Sequence, residues 1–297
     1  MKYQVNVVWY GDVEQSKFRG WWDMGILDDL TAGPKYKHYE GIDALPKDSG
    51  AVVVVPSRLW LGKEEAINKA IQSLTYVVLI LCGNEEADFD LSKIKHPMLR
   101  VWVQLPRMNL HNDVSHKLVN GYRPNTPQVL KEIGRQERIY DYSFAGQINH
   151  ERRQQCIDVL RQFEPLYNCR LAETDSFAKE ALSQREYLMM LAQTKIAPCP
   201  SGIESPDSFR LYEALEAGCL PVVDAFSTQF KTAGFWQYLF NETPPFPIID
   251  YWDKFPILLP QLLKEYPANV NRVSAWWMQK KREIGNKLID DIKVLHG

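Results

Sequence analysis

The sequence predicts an α/β protein built as two parallel-sheet halves that face a cleft, with a long helix at its C-terminal end. Three observations predict it. Continuous apolar runs such as AVVVVP (51–56) and YVVLILC (76–82) are what strands buried on both faces look like. These runs alternate with helical segments, the pattern of a parallel sheet. The alternation then restarts after a turn-rich stretch, NGYRPNTPQ (120–128), which places a first domain at 1–125 and a second at 126–297.

In the first half, YQVNVVWY (3–10) is a strand and GWWDMGILDDLTAG (20–33) a short helix stopped by glycine. GKEEAINKAIQSL (62–74) is an amphipathic helix between the two apolar strands, and MLRVWVQL (98–105) is a further strand. In the second half, DYSFAGQ (141–147), CRLAET (169–174) and KIAPCPSG (195–202) are strands, the last running into a loop. HERRQQCIDVLRQF (150–163) and AKEALSQREYLMMLAQT (178–194) are the helices between them, and RVSAWWMQKKREIGNKLIDDIKVL (272–295) is the long terminal helix.

Composition narrows the function classes. The 297 residues are 45% hydrophobic and 24% charged, which is globular rather than disordered. A net charge of −2 gives no overall basic balance for nucleic acid. Five scattered cysteines without a CxxC pair read as buried thiols of a reducing compartment. The N-terminal residues lack the apolar centre of a signal peptide, and no run approaches the length of a membrane span. A cytoplasmic protein is expected. The nine tryptophans suit the core, and also clefts that bind sugars or bases.

In open parallel sheets ligands bind beyond the carboxyl ends of the strands. The segment ESPDSFRLYEALEAGCLPVVDAF (204–226) follows such a strand. Ser205 reads as an N-cap, Pro206 as the first helical residue and Gly218 as the left-handed stop. Phe209, Tyr212 and Leu215 form a core face, while Arg210 and Glu213 share another. By spacing alone two readings stand: a surface Arg–Glu pair worth a few tenths of a kcal/mol, or an anion site. In the second reading Ser208, Arg210 and the helix N-terminus bind phosphate, and Glu213 accepts from sugar hydroxyls.

SFRLYEALEAGCLPVV resembles the nucleotide-sugar-binding segment of GT-B glycosyltransferases, with the exostosin-like form S-x-R-x-x-E-A-L-x-x-G-C-x-P-V. FAGQINHERRQ (144–154) is similar to the first strand of their C-terminal domain, its glycine turn and the arginine that reaches the donor diphosphate. Gly146, Gln147 and Arg152 or Arg153 are the matching positions. The resemblance covers about 140–225. It implies a GT-B-like fold of two Rossmann-type domains and a nucleotide-diphosphate sugar as donor substrate. It also implies a transfer that needs no metal or other cofactor. Retaining enzymes of this fold carry two glutamates eight apart. Here Ser205 stands eight before Glu213, with Glu204 one position off, so the resemblance points to inversion.

An inverting transfer needs a base to take the acceptor proton. Loops after strands of the first half offer Asp12, Glu85, Glu86, His111, Asp113 and His116. Asp12 and Glu85 are the first choices because their strands read as the most central. Arg19, Trp21, Trp22 and Asp23 sit near the first loop, where they shape an acceptor site or, for the tryptophans, anchor the helix in the core; Tyr122 and Arg123 at the crossing read as linker or as touching the donor from the hinge. The acceptor is open among a glycan, a protein and a modified base in DNA. Two other readings stand beside this one: a metal-dependent transferase using Asp88 and Asp90, and a non-catalytic nucleotide- or sugar-binding module.

Overall fold

The computed structural model describes residues 4–10, 25–106, 115–174 and 182–296. The chain divides into two compact units, 1–124 with 280–297, and 125–279.

In the first unit the elements are β1 (Val5–Trp9), α1 (Gly25–Leu30), β2 (Tyr36–Glu40), β3 (Ala51–Pro56), α2 (Ser57–Trp60), α3 (Glu64–Ile71), β4 (Val77–Cys82), β5 (Leu99–Gln104) and β6 (Ser115–Leu118). They form one parallel sheet of order β2-β1-β3-β4-β5-β6. The apolar runs of β3 and β4 are buried throughout because both faces of these central strands are covered. Val53, Val55, Leu79 and Leu81 meet Ile67 and Ile71 of α3 in the core. β2 and β6 lie in segments the sequence pattern leaves unassigned. Their KYKHYE and SHKL runs are too polar and short to read as strands until the sheet edge is known.

In the second unit the elements are α4 (Thr126–Ile133), β7 (Tyr140–Gln147), α5 (Glu151–Phe163), β8 (Cys169–Thr174), α6 (Gln184–Ala192), β9 (Thr194–Cys199), α7 (Phe209–Glu216), β10 (Leu220–Asp224), α8 (Phe235–Phe240), β11 (Ile248–Ile249), α9 (Phe255–Lys264) and the start of α10 (Tyr266–His296). The sheet is parallel with order β11-β10-β9-β7-β8. This is a doubly wound sheet whose order reverses between β7 and β9. Both units therefore have the parallel, Rossmann-type α/β architecture that the sequence predicts. Pro221 sits in β10 without loss, because β10 meets β11 only at Val223 and Asp224.

Helix α10 carries two separate buried sets. Val273 and Trp277 are buried within the second unit, while Leu288, Ile292 and Leu295 are buried within the first. The end of the terminal helix thus belongs to the first unit, whereas the sequence reading gave the whole helix to the second domain. Asp291 makes that attachment specific: it accepts from Trp102 Nε1 at 2.9 Å and pairs with His116 at 3.2 Å. No helix among the described residues is long and apolar enough to cross a membrane.

Burial pushes the Asp291 carboxyl up, but the hydrogen bonds from His116 and Trp102 outweigh it and hold its pKa below the ordinary carboxylate value. A depressed native pKa adds stability that is present above the unfolded pKa and lost as pH falls through the native one. Asp291→Asn is expected to cost about 1–3 kcal/mol in urea unfolding at neutral pH. The difference from wild type should shrink as the pH falls below about 4.

Candidate functional site

Strand β7 pairs with β8 along its length to Gln147↔Thr174, but with β9 only at Tyr140↔Thr194 and Tyr142↔Ile196. The sheet therefore opens between β7 and β9 toward their carboxyl ends, and Arg210 of α7 reaches into the split. Its Nε donates to the Ala145 carbonyl at 3.2 Å. Its guanidinium carbon lies 5.5 Å from the Phe144 ring centre and 5.2 Å from that of Phe209. Gly146 has φ +147, and a Cβ there would stand 2.0 Å from Arg210 Nη2. This glycine lies inside β7, as the strand read over 141–147 has it, rather than in the glycine turn that the resemblance implies. What it supplies is room for the guanidinium.

Arg210 is 6% exposed, and its Nη1 has no hydrogen-bond partner among the described residues. The hydroxyls of Ser208 and Ser201 are likewise buried and unpartnered. Ser208 is the N-cap of α7 but its side chain does not cap the helix. The helix starts at Phe209, later than the Ser205–Pro206 start expected from sequence. The delay has a local cause. Ser205 Oγ accepts from Asp207 N at 3.1 Å, and Asp207 accepts from Tyr212 Oη at 2.6 Å, which holds 205–207 in a turn. Glu213, 2% exposed, is hydrogen-bonded to the Tyr187 hydroxyl; burial and then this carboxylate push the Tyr187 pKa up. Arg210 and Glu213 are thus both buried, which removes the surface-pair reading. The helix has no solvent face at these positions: Leu211, Tyr212, Ala214 and Leu215 are buried as well. Gly218 ends it with φ 71, where Cys219 N reaches back to the Ala214 carbonyl at 2.8 Å.

Two more arginines enter from the first turn of α5. Arg152 Nη2 is bonded to Asp224 and donates to the Asp250 carbonyl at 2.7 Å, while its Nε is buried without a partner. Asp224 also accepts from Ser201 N at 2.9 Å, and burial pushes its carboxyl up against the pull of Arg152. Arg153 donates to the carbonyls of Ser201 at 3.3 Å and Gln147 at 3.2 Å, and to Asn149 at 3.0 Å. His150, at the N-cap of α5, sets its Nδ1 3.3 Å from Thr228 Oγ1 and leaves Nε2 buried and unpartnered. Burial first, then the charges of Arg153, Arg210 and Arg152, hold the His150 pKa down at about 4.

The structure therefore places Gly146, Gln147, Ser208 and Arg210 around the carboxyl end of β7, Arg152 at the ends of β10 and β11, and Glu213 one turn deeper on α7. The sequence reading left His150, Ser201, Asp224 and Tyr187 out, and left Arg153 undecided against Arg152. His150 and Arg153 sit in the same INHERR run as Arg152, so proximity in sequence was the available signal. Asp224 ends the strand of the 204–226 segment, so its place after LPVV was the available signal, while Tyr187 is remote in sequence and gave none.

The expected bases fall in the first unit or outside the described residues. Glu85 is half-buried on the turn after β4. That turn is held by Gly83 N on Gln104 Oε1 at 3.0 Å and Phe89 N on Asn84 Oδ1 at 3.3 Å. Asp12, Arg19, Trp21, Trp22, Asp23, His111 and Asp113 lie outside the described residues. His116 is on β6, paired to Asp291. Tyr122, at the crossing, is a fully buried anchor bonded to Asp29. Asp90 caps a short turn by accepting from Ser92 N at 3.0 Å and Ser92 Oγ at 2.6 Å. Among the described residues no group of His, Cys, Asp and Glu is arranged to hold a metal.

Residues 123–295 match the RXYLT1 C-terminal domain. The chain belongs to the RXYLT1 C-terminal domain family. The matched span contains every residue of the site between β7 and β9, so the site is part of the RXYLT1-type domain. A relative from Danio rerio, ribitol-5-phosphate xylosyltransferase 1, is 24% identical over 276 residues, 83% of this chain. The chain spans 63% of that relative's length. A crystal structure of an α1,3-fucosyltransferase aligns over 99% of this chain and 90% of its own, with 9% identity and a TM-score of 0.48.

The Arg152–Asp224 pair is buried on both sides. Removing one partner leaves a buried charge uncompensated, so Asp224→Ala should destabilise the chain by about 3–5 kcal/mol. Chemical unfolding followed by circular dichroism checks this.

Proposed function

We propose that the chain is a glycosyltransferase that moves a sugar from a nucleoside-diphosphate sugar to an acceptor hydroxyl. The donor diphosphate binds between the ends of β7 and β9. One observation carries the reading: a buried guanidinium, Arg210, keeps an N–H unpartnered in the first turn of a helix whose N-cap hydroxyl, Ser208, is buried and unpartnered too. A buried cation with unused donors is costly unless an anion completes it. A diphosphate also gains its leaving-group charge where these donors stand, so they stabilise the transition state. Glu213, fixed by Tyr187, is assigned to the donor's ribose or sugar hydroxyls.

The exostosin-like spacing of Ser208, Arg210 and Glu213 supports a nucleotide-sugar donor. The name of the Danio rerio relative supports xylose as the transferred sugar and a phosphorylated polyol as the acceptor. Ser205 in place of a second glutamate favours inversion, and the arginines favour leaving-group stabilisation without a metal. The proton acceptor is assigned to Glu85 of the first unit or to Asp12. The buried thiols of Cys156, Cys199 and Cys219 support a reducing, cytoplasmic compartment.

A thermal-shift screen against UDP, GDP, ADP and CDP, and then their sugar conjugates, tests the reading; binding of none would overturn it. Arg210→Ala is expected to weaken the bound nucleoside diphosphate by about 1.5–3 kcal/mol, roughly 10- to 150-fold, by titration calorimetry. Gly146→Ala should weaken it comparably without touching any donor, because the new methyl displaces the guanidinium. Glu213→Gln should fold and lose donor affinity or turnover. Full activity in that variant would reduce Glu213 to a packing residue.

A further inference from the structure

His150 has no assigned part in the donor site, yet it stands among its cations. It begins α5 directly ahead of Arg152 and Arg153, and the charge of Arg210 on α7 also bears on its ring. From the loop after β10, Thr228 Oγ1 meets Nδ1 at 3.3 Å, and a hydrogen-bonding contact with the Ser201 backbone after β9 favours the charged ring. Asp224 is already bonded to Arg152 and Ser201 N. The ring's remaining nitrogen, Nε2, is buried with no partner among the described residues. A positive charge at His150 is disfavoured while the site is empty, since burial and three guanidiniums together outweigh the Ser201 backbone contact. A polyanion reverses that balance: it neutralises the guanidiniums and offers an acceptor to Nε2.

We propose that His150 is a proton-linked ligand of the donor diphosphate. It is neutral in the empty site, takes up a proton from solvent as the anion binds, and donates its Nε2–H to a phosphate oxygen. This rests on the donor-site reading above. The linkage has a definite sign. The bound state holds more protons, so the imidazole contribution strengthens binding as pH falls through the bound-state pKa. If the anion restores His150 from about 4 to its ordinary value of about 6.5, the gain between pH 7.5 and 5.5 is about tenfold.

The test is titration calorimetry of UDP, GDP, ADP and CDP into the wild-type chain and His150→Gln, between pH 5.5 and 7.5. Buffers of two different ionisation enthalpies give the protons exchanged. A nucleoside diphosphate's own terminal phosphate titrates in this range and tends to release protons on binding. The comparison with His150→Gln removes that contribution, since both proteins see the same ligand. The expected result is that the wild type takes up several tenths of a proton more than His150→Gln near pH 6, and gains about tenfold more affinity toward pH 5.5. Equal proton counts and parallel pH profiles, with both proteins binding, would overturn the role of His150 and leave the donor site standing. Binding of none of the four diphosphates by the wild type would overturn both. Should His150→Gln not fold, imidazole NMR of the wild type at pH 6 decides. With saturating ligand, a ring that is neutral in the free chain should become protonated. An unchanged set of six histidines would refute the proposal.

Discussion

The second unit depends on how one parallel sheet parts. β7 and β9 pair at their amino ends and separate beyond Tyr142 and Ile196, and the Arg210 guanidinium occupies the gap. Its bond to Ala145 supplies a donor to a carbonyl beyond the β9 pairing. Gly146 makes the approach sterically feasible, and the Phe144 and Phe209 rings flank the cation. The helix that carries Arg210 must then lie close over the sheet. That is why Glu213, one turn on, is buried too and needs the Tyr187 hydroxyl.

Burying several cations in one place sets the rest of the local structure. Arg152 draws in Asp224 and the Asp250 carbonyl, which ties the first turn of α5 to the ends of β10 and β11. Arg153 ties the same turn to the loops after β7 and β9 through the Gln147 and Ser201 carbonyls. Arg138 performs a related task at the other end of the helices. It donates to the Leu191 and Thr194 carbonyls at 2.8 Å and to Ala217 at 2.6 Å, so one side chain satisfies the carboxyl ends of both α6 and α7. Satisfied cations are structural here. The N–H groups and hydroxyls left over, on Arg210, Arg152, Ser201, Ser208 and His150, are what a ligand would complete.

The first unit is organised more conventionally, around β-branched central strands and α3. Its distinctive feature is the return of the chain. Trp102 and His116, facing each other across β5 and β6, meet Asp291 of α10. A long helix with uniform amphipathic patterning reads from sequence as one element of one domain. The two buried sets along it, Val273 with Trp277 and Leu288 with Ile292 and Leu295, are too similar in chemistry to be told apart without their partners.

By itself the sequence determined the α/β class, the restart near residue 125 and most central strands, because burial on both faces demands uninterrupted apolar runs. It also determined the left-handed stop at Gly218 and the placing of Arg210 and Glu213 one turn apart on a short helix, because helical spacing and backbone stereochemistry are local. Only the tertiary structure decided that this pair is buried and that Gly146 makes room for a guanidinium rather than for a turn. It alone decided that Asp224, His150, Ser201 and Tyr187 belong with them. Those facts depend on where β7 and β9 part, a long-range feature of strand order that leaves no periodic trace in the residues it brings together.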